Sequence, residues 1–391
     1  MWNGLFDLPI WGYVAVTLAL THLTIASVTI YLHRCQAHRG LDLHPLPAHV
    51  FRFWLWLTTG MITKEWVAVH RKHHARCETE DDPHSPQTKG INEVLWRGAE
   101  LYRAEARNSD TLAKFGKGTP DDWIERNVYS RYKWLGVASM AAIDVLCFGA
   151  IGITIWAVQM LWIPFWAAGV INGLGHYWGY RNFEPADAST NISPIGILIG
   201  GEELHNNHHA FPSSAKFALK PWEFDIGWLY IVALQRLGLA RVKRVAPKPV
   251  IVPGKRSVDQ ETVKAVIAAR LQVMASYGKE VVRPTLRAEL RRADRSARRM
   301  LRRARRLLIR DESLIDADGR RRLEPVLARC QQLRTVYEFR RRLQQVWDRS
   351  ATTHDALVRN LQTWCTQAEA SGVQALGDFA QRLRGYALQP A

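Results

Sequence analysis

Residues 8–38 read LPIWGYVAVTLALTHLTIASVTIYLHRCQAH. The first 25 of them, residues 8–32, contain no Asp, Glu, Lys or Arg. A bilayer core takes roughly 20 apolar residues of helix, so this run is long enough to span one. Asp7 precedes it, and Arg34 and Arg39 follow. Basic residues favour the cytoplasmic side, which places the N-terminus outside. No basic stretch of the kind that opens a secretory signal comes before it. His33 and His38 close the run, five residues apart. Five residues of α-helix turn through about 140°, so the pair can share a target only if the helix ends between them.

Working outward, residues 134–180 hold one charged residue, Asp144, in 47 positions. That allows two spans, with a turn expected near Pro164. Lys133 and Arg181 flank the pair and put both ends in the cytoplasm. Between these regions, only the 11 residues 53–63 separate Arg52 from Lys64. As helix they cover about 16 Å against a core of roughly 30 Å, so the segment is expected in the interface. The expected fold class is all-α: three membrane spans plus an interfacial helix and a cytoplasmic cap. Four spans are the alternative.

Thirteen of the fourteen histidines lie between His22 and His209. Nine fall into four features: His33 and His38; His70, His73 and His74; His176; and His205, His208 and His209. Positions i, i+3 and i+4 share one helix face, so each triplet can aim three imidazoles at one place. Asn172 and His176 are again i and i+4. With 53–63 interfacial, all four features lie on the cytoplasmic side. Nine imidazoles exceed one ion's needs, and two ions with four or five ligands each fit better. Structural zinc takes four ligands and catalytic zinc usually three, and haem takes one or two histidines. Two non-haem irons with positions open to O₂ match best. His22, His44, His49, His84 and His354 stand outside the pattern and are read as non-ligands. The five cysteines are scattered without a C-x-x-C pair, which argues against a disulfide scaffold or a cysteine zinc site.

These stretches carry a resemblance. His33–His38 as H-x-x-x-x-H, residues 70–86 (HRKHHARCETEDDPHSP), residues 172–180 (NGLGHYWGY) and residues 201–209 (GEELHNNHH) resemble the membrane fatty-acyl desaturases of the Δ9 acyl-CoA and acyl-lipid group. The resemblance covers about residues 10–235. It implies a di-iron centre on the nine histidines, with Asn172 holding a metal through water. It also implies an O₂-dependent oxidoreductase that inserts a cis double bond, Δ9, into saturated acyl chains. An unactivated methylene has no acidic proton, so an O₂-derived oxidant is required and general bases do not serve. Glu202, Glu203, Asp81 and Asp82 are expected as acceptors for imidazole N–H groups. The acyl-CoA branch is expected to carry an arginine just before the second histidine feature, where Trp66-Val67-Ala68-Val69 stands here. That departure favours a phospholipid substrate over acyl-CoA, with Arg97, Arg103 and Arg107 meeting the headgroup. No fused haem or dinucleotide motif occurs, so electrons are expected from a separate ferredoxin or flavoprotein reductase. The expected location is the bacterial inner membrane, with metal site and tail on the cytoplasmic side. The rival readings are an acyl hydroxylase or ketolase on the same iron centre, or a non-catalytic lipid- or nucleic-acid-binding protein acting through its tail.

That tail differs from the rest in composition. Of the net +17, residues 255–391 hold 29 Lys/Arg against 15 Asp/Glu. Tryptophan runs the other way, with 14 of 16 before residue 255. The expected organisation is a membrane domain over 1–245, a Pro-rich linker over 246–257 and a basic helical bundle over 258–391. A capping box is expected at Ser257-Val-Asp-Gln260. A helix is then expected to carry Leu286, Leu290, Ala293, Ala297, Met300, Ala304 and Leu307 on one seam. A second follows through Leu323, Val326, Cys330, Leu333, Tyr337 and Val346, and a third around 357–365. The tail resembles one found in some bacterial desaturases and in an insertion-sequence transposase family. Its expected use is lipid attraction or oligomerisation, with a merely solvated bundle face as the alternative, and nucleic acid is not an expected partner.

Overall fold

The computed structural model describes residues 4–348 and 353–388. The protein is mostly helical and divides into two compact units. One comprises Met1–Arg181 with Asp187–Ala246, the other Asn182–Ala186 with Pro247–Ala391.

The first unit opens with α1 (Ile10–Ser27), which runs without a break into a π-helical segment, Val28–Ala37. Together they form a continuous helix of 28 residues. β1 (Leu41–Leu43), α2 (Pro45–Thr59), α3 (Thr63–Arg76) and the single turn α4 (Pro86–Lys89) follow. Next come α5 (Ile91–Glu105), α6 (Ser109–Phe115), α7 (Lys133–Phe148) and α8 (Ala150–Ile163). The last of these continues through a second π segment, Pro164–Ile171, and α9 (Asn172–Leu174) as a 25-residue apolar helix. β2 (Ile195–Gly196) pairs in parallel with β3 (Phe224–Asp225) on either side of α10 (His205–Ala210). After α11 (Ile226–Arg236), β4 (Ala240–Val242) pairs antiparallel with β1.

Two helices are long and apolar enough to cross a bilayer, Ile10–Ala37 and Ala150–Leu174. The turn of the α7–α8 hairpin lies at Gly149 and not at Pro164. Gly149 adopts φ +64°, a conformation that favours glycine. Pro164 sits inside the second long helix, where π winding accommodates its missing N–H. Asp144, the charge within the apolar stretch, is buried, and the Gln159 amide donates to it at 2.7 Å. α2 packs on α7 and α1, ends at Gly60, and lends the Trp54 indole N–H to Thr24 Oγ1 at 3.0 Å. α5 crosses the second π segment so closely that a Cβ on Gly98 would meet the Ala168 carbonyl oxygen at 2.2 Å.

The second unit has its own core, built on Val266, Val273, Tyr277, Leu333, Leu343, Trp364 and Phe379. Its helices are α12 (Gln260–Ala268), α13 (Arg270–Tyr277), α14 (Arg283–Arg292), α15 (Arg295–Ala304), α16 (Ala317–Arg329), α17 (Gln331–Asp348), α18 (His354–Glu369) and α19 (Gln374–Arg384). Within the stretch expected to be linker, β5 (Pro249–Ile251) pairs antiparallel with β6 (Tyr386–Leu388). The capping box is formed by Asp259 with Thr262, two residues beyond Ser257, because the Asp259 carboxylate reaches the Thr262 N–H at 2.7 Å. The expected single seam is two helices. The chain leaves helical geometry at Ala293, and Asp294 caps a new start by accepting from the Ala297 N–H. The second expected helix likewise breaks at Cys330.

Candidate metal centre

The π segment explains the first histidine pair. The expectation that the helix ends between His33 and His38 is not met. The His38 N–H instead bonds the His33 carbonyl at 3.1 Å, the i to i+5 pattern of π winding. Residues five apart then lie one above the other, and the two rings stand 4.9 Å apart. Arg71, between His70 and Lys72, secures this helix end by donating to the Gln36 and Ala37 carbonyls at 2.8 and 3.0 Å.

Arg34 is counted from sequence as a charge at the membrane flank, yet it is 1% exposed. Its guanidinium forms two bonds to Asp225, at 2.9 and 3.0 Å. It also reaches the Gly200 and Ala215 carbonyls and Thr29 Oγ1. It lies 3.8 Å over the Phe217 ring, which packs on His33 and His208. One buried arginine thus ties the first histidine feature to the loops around the last. Hydrogen bonds satisfy the guanidinium and the aspartate, as such a pair requires.

α3 carries His70, His73 and His74 on one face, and α10 carries His205, His208 and His209. His176 follows α9 in a turn. The structure brings one ring nitrogen each of His33, His38, His70, His74 and His208 within 4.8 Å of one another. The closest Nε2 pairs are His38–His70 at 2.7 Å, His74–His208 at 2.9 Å and His33–His208 at 3.0 Å. In a second group, His176 Nε2 stands 3.2 Å from His73 Nε2 and 3.0 Å from His205 Nε2. The His209 ring lies 4.6 Å from that of His176.

Four carboxylates sit on the far side of these rings. Glu202 meets His33 Nδ1 at 2.8 Å, Asp82 meets His73 at 3.0 Å, Glu78 meets His176 at 3.0 Å, and Asp187 meets His209 at 3.2 Å. An ionised carboxylate only accepts, so in a neutral imidazole held this way the proton sits on Nδ1 and the Nε2 lone pair is left for a cation. His73 and His176 face each other through their Nε2 atoms. Burial first, and the neighbouring imidazoles second, hold His70, His74, His205, His208 and His209 well below the ordinary histidine range. These five imidazoles are thus neutral near pH 7, and their clustered ring nitrogens suit a cation. Ligand nitrogens about 2.1 Å from an ion stand about 3.0 Å apart when at right angles, which matches the observed separations. The buried His209 Nε2 has no other partner. The residues present fit metal ions.

Of the expected acceptors, Glu202 and Asp82 reach histidines. Glu203 instead takes the Ile199 and Gly201 N–H groups and holds the loop before α10. Asp81 is exposed. Glu78 and Asp187 were not anticipated. Glu78 lies one residue past α3's cap, at φ +66°, an uncommon backbone for a non-glycine residue that its bonds hold in place. Asp187 is 22 residues from its histidine, and no sequence spacing announces it. Cys77 Sγ also approaches the second group, 3.9 Å from His176 Nδ1, and burial pushes its thiol up out of the ordinary range. His84 is buried beside His73, with both ring nitrogens unpartnered.

The histidines border a cavity of about 420 Å³ whose wall includes His33, His70, His205 and Asn172. Trp66, Val69, Val137, Met160, Ile163 and Ala167 make much of the rest apolar. Trp66 stacks on His70 at 4.9 Å. Arg103, Arg107 and Lys133 line it as well. Arg97 does not, being a surface residue paired with Glu93 at 3.0 Å.

Comparison with known proteins gives the family. Residues 9–237 match the model of the fatty acid desaturase family. The chain belongs to that family. The sn-1 stearoyl-lipid 9-desaturase of Anabaena variabilis is 29% identical over 61% of this chain and 86% of its own. Delta-9 acyl-lipid desaturase 1 of Arabidopsis thaliana is 29% identical over 59% of this chain and 74% of its own. The icosanoyl-CoA 5-desaturase of Limnanthes douglasii is 31% identical over 55% and 60% respectively. The protein is thus a fatty-acyl desaturase, an oxidoreductase. Residues 242–389 of the desaturase match a separate model described as a transposase.

Proposed function

We propose that the desaturase is an integral-membrane, di-iron enzyme that inserts a cis Δ9 double bond into saturated acyl chains of phospholipid. The supporting observation is the double group of inward-facing Nε2 atoms on the wall of a largely apolar cavity. His33, His38, His70, His74 and His208 would hold one iron. His73, His176, His205 and His209 would hold the other, with Asn172 acting through water. Bound there, the irons supply the O₂-dependent oxidation that unactivated methylenes require.

The chain's own residues do the rest. Glu202, Asp82, Glu78 and Asp187 fix the tautomer and orientation of four imidazoles. The apolar wall excludes water and presents methylenes to the histidine groups. Arg103, Arg107 and Lys133 attract a headgroup phosphate. Ile10–Ala37 and Ala150–Leu174 span the bacterial inner membrane with α7 as a third segment, leaving the histidines on the cytoplasmic side. Electrons come from a separate ferredoxin or flavoprotein reductase.

The test is expression in a bacterium with and without O₂, with total lipids profiled by gas chromatography–mass spectrometry and double-bond localisation. A cis Δ9 monoene that needs O₂ and vanishes in His70→Ala is expected. A hydroxylated chain would replace the reading with an acyl hydroxylase, and a bond elsewhere would remove Δ9. With an isotope-labelled saturated fatty acid fed to the same cells, labelled monoene in intact phospholipid before any in acyl-CoA would support the lipid-linked substrate.

A further inference from the structure

Residues 283–306 contain eleven arginines, no lysine and two acids, Glu289 and Asp294. All eleven arginines are exposed. Among the described residues, none of them makes an ion pair. Elsewhere in the same unit arginines find carboxylates: Arg321 and Arg322 with Asp318, Arg341 with Glu312, Arg382 with Glu280 and Arg384 with Glu369. Five of the unpaired ones, Arg295, Arg298, Arg299, Arg302 and Arg303, line one surface groove. They lie on α15, whose opposite face buries Leu301 and Ala304 in the core. Spacing of three and four residues repeats them each turn, about 5.4 Å apart along the helix.

A merely solvated helix face mixes lysine, glutamate and arginine. Arginine alone, unneutralised and in register, suits the planar two-pronged recognition of phosphate. Among the described residues of this unit the exposed large apolar side chains are Ile251, Val252 and Leu388, none of them on α15, so the arginine face itself carries nothing to insert into hydrocarbon or stack on a base. The chain holds this unit to a membrane-embedded enzyme, so the phosphate array it meets at the highest effective concentration is the anionic leaflet.

We infer that the α15 arginine face is a docking surface for anionic phospholipid headgroups, which it binds electrostatically without insertion. The inference rests on reading the desaturase unit as membrane-embedded. If that reading fails, full-length protein appears in the soluble fraction, whatever the result below.

The test uses full-length protein in nanodiscs of phosphatidylcholine, mixed with vesicles containing phosphatidylglycerol and scored by co-flotation. Changing the five groove arginines to Gln should weaken vesicle capture at least about tenfold, an effect that added salt imitates. Changing the paired Arg321, Arg322 and Arg341 to Gln should weaken it less than about twofold. Five Lys in place of the five groove arginines should keep the charge and lose the two-pronged contact, so capture should fall between wild type and the Gln variant, which controls for folding. Three results would each overturn the inference: equal capture by wild type and the Gln variant, equal losses in the groove and control variants, or displacement by inorganic phosphate or duplex DNA at phosphate concentrations matched to the lipid.

Discussion

Arg34 and Arg302 are the same side chain set in opposite environments. Arg34 is buried, and five acceptors with an aromatic ring surround it. Arg302 projects from α15 into water among like charges. In the first unit charge is internal and organises a site, because a buried ion must be fully satisfied and so dictates where its partners stand. Along α15 of the second it is external, and that helix is held by the apolar core it buries on its other face. Substitutions should therefore break the first unit and only re-tune the second.

The largest expected effect is on chemistry. His70→Ala or His208→Ala should abolish product and lower the iron content of purified enzyme, while membrane insertion persists. Retention of activity would remove that residue from the ligand set. Next, Arg34→Met should cost about 3–5 kcal/mol by stranding Asp225, whereas Arg302→Met should change stability by less than about 0.5 kcal/mol. Thermal unfolding of both variants in detergent decides it, and similar shifts would erase the contrast drawn above. Glu78→Gln keeps the shape but turns an obligate acceptor into an ambiguous one. A loss of about 10–100-fold in metal affinity is expected, read by competitive chelation.

Smaller still is Asp259→Ala, which removes the α12 cap and should cost about 1 kcal/mol. Burial raises the Asp259 carboxyl, but the Lys255 ammonium and the Thr262 donors more than offset this and bring it to about 2. A lowered folded value stabilises above the ordinary carboxylate range. That contribution should fade as pH falls from about 4 toward 2 in acid unfolding of wild type, and be missing from the variant.

Legibility from sequence followed the range of the interactions. The long apolar helices, the nine histidines and the basic bundle are periodic or compositional features, and each is visible in the chain. Glu202 and Asp82 were within reach because they adjoin their motifs. Asp187 was not, since a loop brings it to His209. Glu203 and Asp81 looked equivalent to their neighbours, yet the backbone turns one toward N–H groups and the other to solvent. The hairpin turn went to Pro164 because proline is a strong break signal in water-soluble helices, while the positive φ of Gly149 leaves no trace in hydropathy. The seam through Ala293 fitted one helix by spacing, but Asp294 offered a cap that competes with continuation.

The π winding at His33–His38 has a consequence for how such pairs are counted. An α-helix with three intervening residues and a π-helix with four deliver the same stacked imidazoles. Removing Cys35 would shorten the segment toward ordinary winding and keep both rings on one side. The price would be paid at the Gln36 and Ala37 carbonyls, which Arg71 would no longer meet in register. The supernumerary residue is thus an adapter between two neighbouring helices, and the spacing of the motif records that fit as well as the needs of the ion.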